Sequence, residues 1–567
     1  MTKSRIRSLA LLTPIAAVLP LAGCADGHTE DDLGHQRAAT YGTSVTVGGD
    51  DGGPACEPDE FFDVNERRSL FETNEDALSA FSMHEVLDAL ASNAGVSAAP
   101  AALHDQLMDT FDVAPGATGG AHCDDGVAFD GTPGLNDYPL QCPRAERQQV
   151  GNLDEWFPIA AVNRFDLAPT DGSNCGEARL VFANSASIGP GRAFMIFEAQ
   201  VPNPDPECGI DACAPVQEFW AELTHVDNPF KRGELLRAAF LDGHAGLQAA
   251  GFGPFVDARA YSFGTGQVRT NTFNQGPWTL REFKTVAVAS TKPPKLGTTI
   301  SPLAASLEFV PVPVAANPFG ELWDENTTQP ASKQCANALV STVASLMVDD
   351  PNLMGVSLPT ACLAAESPDS FVMEYAQQLV PGGSLESAID ARIQALDPGS
   401  SLTATHIARR ALFSGGCIGC HQRSNGGSNN DLGNGVSTPN SLGFVHTHEV
   451  IQEDCGDGDL NCFRISDALR TSFLPHRKDV MDGFLNGGPC CESPIKPIKP
   501  IEPIGPIGPF EPIQPFEPIQ PLEPMAQPLQ PIALDQLDVD ALLEAEAEAK
   551  ANISPLTVSG QPTQRAH

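Results

Sequence analysis

The sequence predicts an α+β fold whose sheet is mostly antiparallel, followed by a small all-α domain and a proline-rich polyproline II tail. Strand-like runs alternate with turns between residues 150 and 315, without the regular βαβ order that a parallel sheet requires. The chain of 567 residues is long enough for several domains, and its 15 cysteines predict disulfides within the mixed domain.

The division into segments follows shifts in composition along the chain. We expect a signal peptide over 1–23, a flexible acidic and glycine-rich tether over 24–62, and an α+β domain of unknown role over 63–330. A helical region follows over 331–400, then the small all-α domain over 401–489. The chain ends in a proline-rich arm over 490–534 and an acidic helix with a loose tail over 535–567.

The charge balance excludes one class of partner. The chain has 33 Lys and Arg against 72 Asp and Glu, a formal net charge of −39 at pH 7. Because such a surface repels phosphate backbones, we expect no nucleic-acid binding.

The N-terminal residues are typical of an export signal. Three basic residues are followed by an apolar run over 9–21 that is too short to span a bilayer, and the small residues Ala22 and Gly23 precede Cys24. Leu21-Ala22-Gly23-Cys24 resembles the bacterial lipobox, which implies lipidation of Cys24 and a lasting membrane anchor. Ala25 resembles the outer-membrane version of the sorting signal. The alternative is a plain secretory signal with a chance cysteine.

The elements of the mixed domain are predicted from periodicity. Apolar spacing over 66–112 is helical, and amphipathic helices are expected over 216–226 and 230–241. Strand-like runs occur at 179–183, 193–199, 283–288 and 307–310. Residues 331–395 have helical spacing again.

A polar stretch in this domain has two interpretations. Asn163-Arg164-Phe165-Asp166, followed shortly by Cys175, is rich in side chains that can line a site, but it also fits a structural loop held by a disulfide. The domain contains no phosphate loop, nucleophile elbow, dinucleotide fingerprint or zinc-protease motif, and residues 57–400 resemble no characterised family.

The motif with the clearest chemistry follows a helix that Thr403 or Thr405 can cap and that ends at Gly415-Gly416. Cys417-Ile418-Gly419-Cys420-His421 resembles the attachment motif of c-type haem, Cys-x-x-Cys-His. The resemblance implies one haem c in a monohaem cytochrome c-like domain, bound covalently by Cys417 and Cys420, with His421 as the proximal iron ligand. The alternatives are a Cys417–Cys420 disulfide, a zinc half-site and a motif that no longer carries haem.

Several residues compete for the distal side of the iron. Met481 lies 60 residues after His421, a separation that resembles small cytochromes c, but it falls within a predicted helix over 477–486 as a core residue. His476 lies at the start of that helix. His446 and His448 share one face if residue 447 is in a strand, and an open or water-ligated site is the remaining alternative.

Twelve cysteines remain once Cys24 and the two motif cysteines are set aside, which allows up to six disulfides. The spacing suggests two local pairs, Cys208 with Cys213 and Cys455 with Cys462.

Proline recurs at every third position from Pro494 to Pro524. Since polyproline II has three residues per turn, the proline, apolar and polar positions each form one edge. The arm is either a stiff spacer or a strip recognised by a groove-bearing protein partner.

These observations predict an exported, membrane-anchored haem c lipoprotein that transfers one electron at a single haem to an unknown redox partner protein. The prediction favours an electron carrier over an enzyme. The alternatives are a disulfide-stapled surface binding protein with a structural or vestigial motif, and a haem enzyme or sensor.

Overall fold

The computed structural model describes residues 61–109, 128–132, 134–135, 137–140, 152–185, 192–273, 278–289, 305–425, 430–456 and 461–487. The predictions for the signal peptide and Cys24, for the tether up to residue 60, for the proline-rich arm and for the acidic tail lie outside these residues.

Helices occur along the whole of the described chain. They are α1 (Glu75–Leu78), α2 (Met83–Asn93), α3 (Pro100–Asp109), α4 (Ala214–Glu222), α5 (Pro229–Arg237), α6 (Ala245–Ala249), α7 (Ser332–Ser341), α8 (Val343–Leu346), α9 (Tyr375–Gln378), α10 (Ser384–Leu396), α11 (Ala404–Ser414), α12 (Cys417–Cys420) and α13 (Leu474–Asn486). The amphipathic helices predicted over 216–226 and 230–241 correspond to α4 and α5, and α5 continues as a wider turn over Ala238–Asp242. No helix among the described residues is long and apolar enough to cross a membrane.

The strands are mostly long in the centre of the fold and short at its edges. They are β1 (Phe71–Glu72), β2 (Gly134–Leu135), β3 (Tyr138–Pro139), β4 (Trp156–Arg164), β5 (Asn174–Asn184), β6 (Arg192–Pro202), β7 (Gln267–Phe273), β8 (Thr279–Ala289), β9 (Ala305–Val312), β10 (Ser367–Pro368), β11 (Asp431–Gly433), β12 (Val436–Ser437), β13 (Thr447–Glu453) and β14 (Cys462–Ile465).

One eight-stranded antiparallel sheet organises the molecule. Its order is β1-β4-β5-β6-β7-β8-β10, and β9 also pairs with β8. The mixed α and β class and the mostly antiparallel sheet are therefore confirmed, and each of the four predicted strand runs lies within a strand.

The two faces of this sheet differ in chemistry. Across the register, Leu180, Phe197, Val268 and Phe283 form one apolar row on adjacent strands. Because side chains alternate along a strand, the neighbouring positions face the other side. That side carries buried charged residues, among them Arg179, Glu198, Arg269 and Glu282.

The predicted small all-α domain is not all helical. Between residues 401 and 487 the described chain contains α11, α12 and α13, but also two hairpins, β11 with β12 and β13 with β14. These residues share one continuous hydrophobic core with the large sheet. The expectation of an all-α unit is wrong because the 447–465 stretch pairs with itself as a hairpin, which helical periodicity does not reveal.

Three disulfides lie wholly within the described residues: Cys175–Cys213, Cys335–Cys362 and Cys455–Cys462. The predicted pair Cys455 with Cys462 is confirmed. The predicted pair Cys208 with Cys213 is wrong, because Cys213 at the start of α4 reaches Cys175 on β5 instead.

Candidate functional site

The Cys-x-x-Cys-His motif is positioned by a capped helix and a tight reversal. Thr403, one of the two capping residues that the sequence allows, caps α11 by accepting from the backbone N–H of His406 at 3.4 Å. The chain then turns at Gly415 and Gly416 into the short helix α12. A Cβ on Gly415 would lie 2.3 Å from the carbonyl oxygen of Ala316, so only glycine fits this approach.

The two motif cysteines are free thiols in the core. Cys417 is 1% exposed and Cys420 is 0% exposed, whereas the other described cysteines are disulfide-bonded. Burial raises the pKa of Cys417 to about 11, and burial together with Cys417 raises the pKa of Cys420 further. Protonated, water-shielded thiols are poor nucleophiles, so this pair differs from the exposed, acidic pair of a disulfide oxidoreductase.

His421 follows directly and lies among aromatic rings. Its ring centroid is 5.8 Å from that of Trp278 and 4.7 Å from that of His446. Its Nδ1 is buried and has no hydrogen-bond partner among the described residues. Burial lowers the pKa of His421 to about 4, so the imidazole is neutral at pH 7 and retains a lone pair for a metal.

Of the proposed distal residues, His446 contacts the motif. Its Nε2 lies 3.3 Å from the Cys420 Sγ, and its Nδ1 lies 2.8 Å from the Ser466 Oγ. His448, two residues further on, has different contacts, because its Nδ1 accepts from the backbone N–H groups of Val450 and Ile451.

The other two candidates lie on α13. Met481 is buried in the apolar face of this helix, as the sequence predicts, and its Sδ is 3.6 Å from the Asn163 Nδ2 on β4. His476 lies in the first turn of α13 and is half-buried. The contacts of Met481 are those of a core residue.

The charged face of the sheet lies beside the motif. Arg179 and Arg269 both contact Glu198, at 3.0 and 3.3 Å, and Arg269 also contacts Glu282 at 3.0 Å. The charge of Arg269 acts on the Cys417 thiol. This row of ion pairs was not predicted, although single charged residues inside otherwise apolar strands such as 179–183 indicate buried pairing.

A second charged group adjoins Cys420. Arg164 at the end of β4 forms a two-point ion pair with Asp166, and Arg477 of α13 approaches the same carboxylate. The polar stretch around Arg164 was predicted either to line a site or to form a loop held by Cys175. The structure shows the Cys175–Cys213 disulfide, and the charge of Arg164 acts on the Cys420 thiol.

Within the described residues, no group of three or more His, Cys, Asp or Glu side chains is arranged to hold a metal ion. This finding concerns sites built from protein ligands, since a haem iron takes four ligands from its porphyrin and one or two from the chain.

Comparison of the chain with protein-family models, with curated proteins and with solved structures found no match.

Proposed function

We propose that the chain binds one haem c covalently through Cys417 and Cys420, with His421 as an iron ligand, and that it transfers single electrons. The observation that carries this proposal is the pair of free thiols next to a neutral imidazole, in a chain whose other described cysteines are oxidised. A thioether forms when S–H adds across a vinyl double bond. The sulfur bonds one carbon and the proton goes to the other, so the reaction needs free thiols and no oxidant.

The residues around the motif fit this cofactor. The His421 Nδ1 is buried without a partner among the described residues, and the rings of Trp278 and His446 pack against the imidazole, with Phe444 stacked on Trp278. Haem held here supplies a one-electron iron couple. Cys417, Cys420 and His421 would hold it by two covalent bonds and one imidazole, which together would prevent its loss.

His446 would be the second iron ligand, before Met481 and His476. When Nδ1 of His446 donates to Ser466, Nε2 carries the lone pair, and this atom faces the Cys420 side of the site. Two imidazoles give a lower reduction potential than one imidazole and one thioether.

The setting of the protein is also part of the proposal. We propose that Cys24 is lipidated, that the chain is exported and anchored to the outer membrane, and that it exchanges electrons with a protein partner. The disulfides support an oxidising compartment. The proline-rich arm is either a spacer or the contact strip for that or another protein.

A pyridine haemochrome spectrum of the full chain, produced with a haem c maturation system, tests the attachment. We expect haem that stays with the denatured protein and shows saturated vinyl groups, and we expect its loss in Cys417→Ala/Cys420→Ala. The matched control is Cys455→Ala/Cys462→Ala, which removes two cysteines outside the site and keeps the haem. A wild-type chain that folds with its disulfides but carries no covalent haem would refute the proposal.

The second candidate function is a disulfide-stapled binding protein in which the motif is structural. The complete burial of Cys417 and Cys420 in the continuous core favours this candidate, because each also packs as a small apolar side chain. It predicts that Cys417→Ala/Cys420→Ala changes the stability of the chain but leaves its absorption spectrum unchanged.

A further inference from the structure

Two buried arginines share one carboxylate where β4 meets α13. Arg164 is 2% exposed and Arg477 is 5% exposed. Arg164 uses Nε and Nη2 to donate to both oxygens of Asp166, at 2.8 and 2.9 Å. Arg477 remains 3.8 Å from the nearer oxygen, beyond hydrogen-bond range, so it has a charge neighbour without a hydrogen bond to it.

Each of the two arginines has one donor atom that is not used. The Nη1 atoms of Arg164 and Arg477 are both buried without a hydrogen-bond partner in the part of the chain that the structure describes. The nearby Arg179 is already paired with Glu177 at 2.6 Å and Glu198 at 3.0 Å. Guanidinium groups stay protonated, and buried charges are stable only when they are paired. Glu177 and Glu198 also act on the charge of Arg164. What the two arginines lack is therefore a hydrogen-bond acceptor for their Nη1 atoms.

A fully paired arginine in the same core shows the contrast. Arg232 donates from Nε to Glu72 at 2.7 Å and from Nη1 to the carbonyl oxygens of Val226 and Asp227, at 2.7 and 3.1 Å. Its burial is explained by the protein's own acceptors. The protein's own acceptors do not explain the burial of Arg477.

We propose that Arg164 and Arg477 bind a carboxylate or a small oxyanion between them. Two guanidinium groups that each present an unused N–H match an anion with two acceptor oxygens, the ligand geometry that arginine prefers. The positive charge of both residues also acts on the Cys420 thiol.

Two sources can supply such an anion. A carboxylate of a cofactor attached at Cys417 and Cys420 is one, and a free small anion is the other. The anion site itself does not depend on the haem proposal, because it rests on the two unused Nη1 donors of Arg164 and Arg477. Only the first source requires haem.

Titration of the full chain with sodium formate, sodium phosphate or sodium chloride in a zwitterionic buffer tests the site. It is run on haem-loaded protein and on Cys417→Ala/Cys420→Ala, with the melting temperature as readout. We expect a saturable rise in the melting temperature of the unloaded protein with at least one of the three anions. In Arg477→Met the rise should disappear, and the melting temperature without anion should increase because an unpaired charge is gone.

The matched control is Arg232→Met, which removes a paired arginine. It should lower the melting temperature and leave the anion response unchanged. Asp166→Asn should tighten anion binding, since it removes the competing carboxylate.

The outcomes separate the two sources. A response in the unloaded protein that is missing from the loaded one supports the site and identifies the cofactor carboxylate as its occupant. A response in both supports the site with a free anion. A lack of saturable response in unloaded protein, or an equal response in Arg477→Met, overturns the proposal whether or not haem is attached.

Discussion

The glycine between the two motif cysteines has no room for a side chain. A Cβ on Gly419 would lie 2.0 Å from the carbonyl oxygen of Leu412, 2.4 Å from its carbonyl carbon and 2.8 Å from the backbone nitrogen of Phe413. All three are backbone atoms of α11, which cannot rotate away as a side chain does. Since Cβ contacts under 3.0 Å are essentially never seen, α12 must move by about 1 Å to accept alanine.

The cost follows from this displacement. Overpacking a well-packed core costs about 1–3 kcal/mol, and a backbone obstacle favours the upper part of that range. Alanine also restricts the unfolded chain, which returns about 0.4–1 kcal/mol. We therefore expect Gly419→Ala to lower the free energy of unfolding by about 2 kcal/mol.

Urea denaturation followed by circular dichroism measures this change. The matched control is Gly253→Ala, because no heavy atom lies within 4 Å of the Cβ position at Gly253. The control should be neutral or slightly stabilising. If Gly419→Ala is as stable as the control, the close packing of α12 against α11 is wrong. Under the haem proposal, the same variant should also carry less covalent haem, since Cys417 and Cys420 move with the helix.

Three further predictions concern the stability of the chain and the access of a reagent to the motif thiols. Replacing the Cys175–Cys213 disulfide, whose sequence separation is 38, by alanines should lower the free energy of unfolding by about 4 kcal/mol. The same change at Cys455–Cys462, with a separation of 7, should lower it by about 2.5 kcal/mol. Equal losses of free energy in denaturant unfolding would contradict the loop-entropy account. In the haem-free chain, iodoacetamide should modify the motif thiols only after unfolding, as peptide masses will show. Burial raises the pKa of Glu453, but hydrogen bonds from two arginines outweigh it and the net shift is downward. The contribution of Glu453 to stability is therefore present above the usual glutamate pKa and is lost as the pH falls through the folded pKa. Glu453→Gln should make the free energy of unfolding depend less on pH in this acidic range.

Local pattern was enough to predict the elements of the sheet. The apolar runs at 179–183 and 193–199 lie within β5 and β6, which pair with each other in the structure. The helix over 477–486 and the buried position of Met481 on it were also predictable, because periodicity determines which side of a helix is apolar.

Long-range pairing was not predictable. Cys213 pairs with Cys175 rather than with its near neighbour Cys208, since the partner depends on where α4 lies against β5. The charged face was missed for a similar reason, because Arg269 and Glu282 lie on different strands and meet only through the β7–β8 register. The contact of His446 with Cys420 likewise depends on how β13 approaches the motif.

The charges around the motif have a consequence for the proposed electron transfer. Arg164 and Arg477 with Asp166 carry one excess positive charge, and the row formed by Arg179, Arg269, Glu177, Glu198 and Glu282 carries one excess negative charge. At an effective dielectric constant of about 20, one unit charge at about 10 Å contributes about 1.7 kcal/mol.

Positive charge favours the reduced state, so the guanidinium of Arg477 should raise the reduction potential of the haem-loaded chain by about 70 mV for that distance. An anion bound between the arginines cancels this charge. Arg477→Met should therefore lower the potential where the site is empty and leave it nearly unchanged where an anion is bound. Spectroelectrochemical titration with and without sodium formate distinguishes these cases. A potential that responds to neither the substitution nor the anion would show that the unpaired charge does not act on the redox centre.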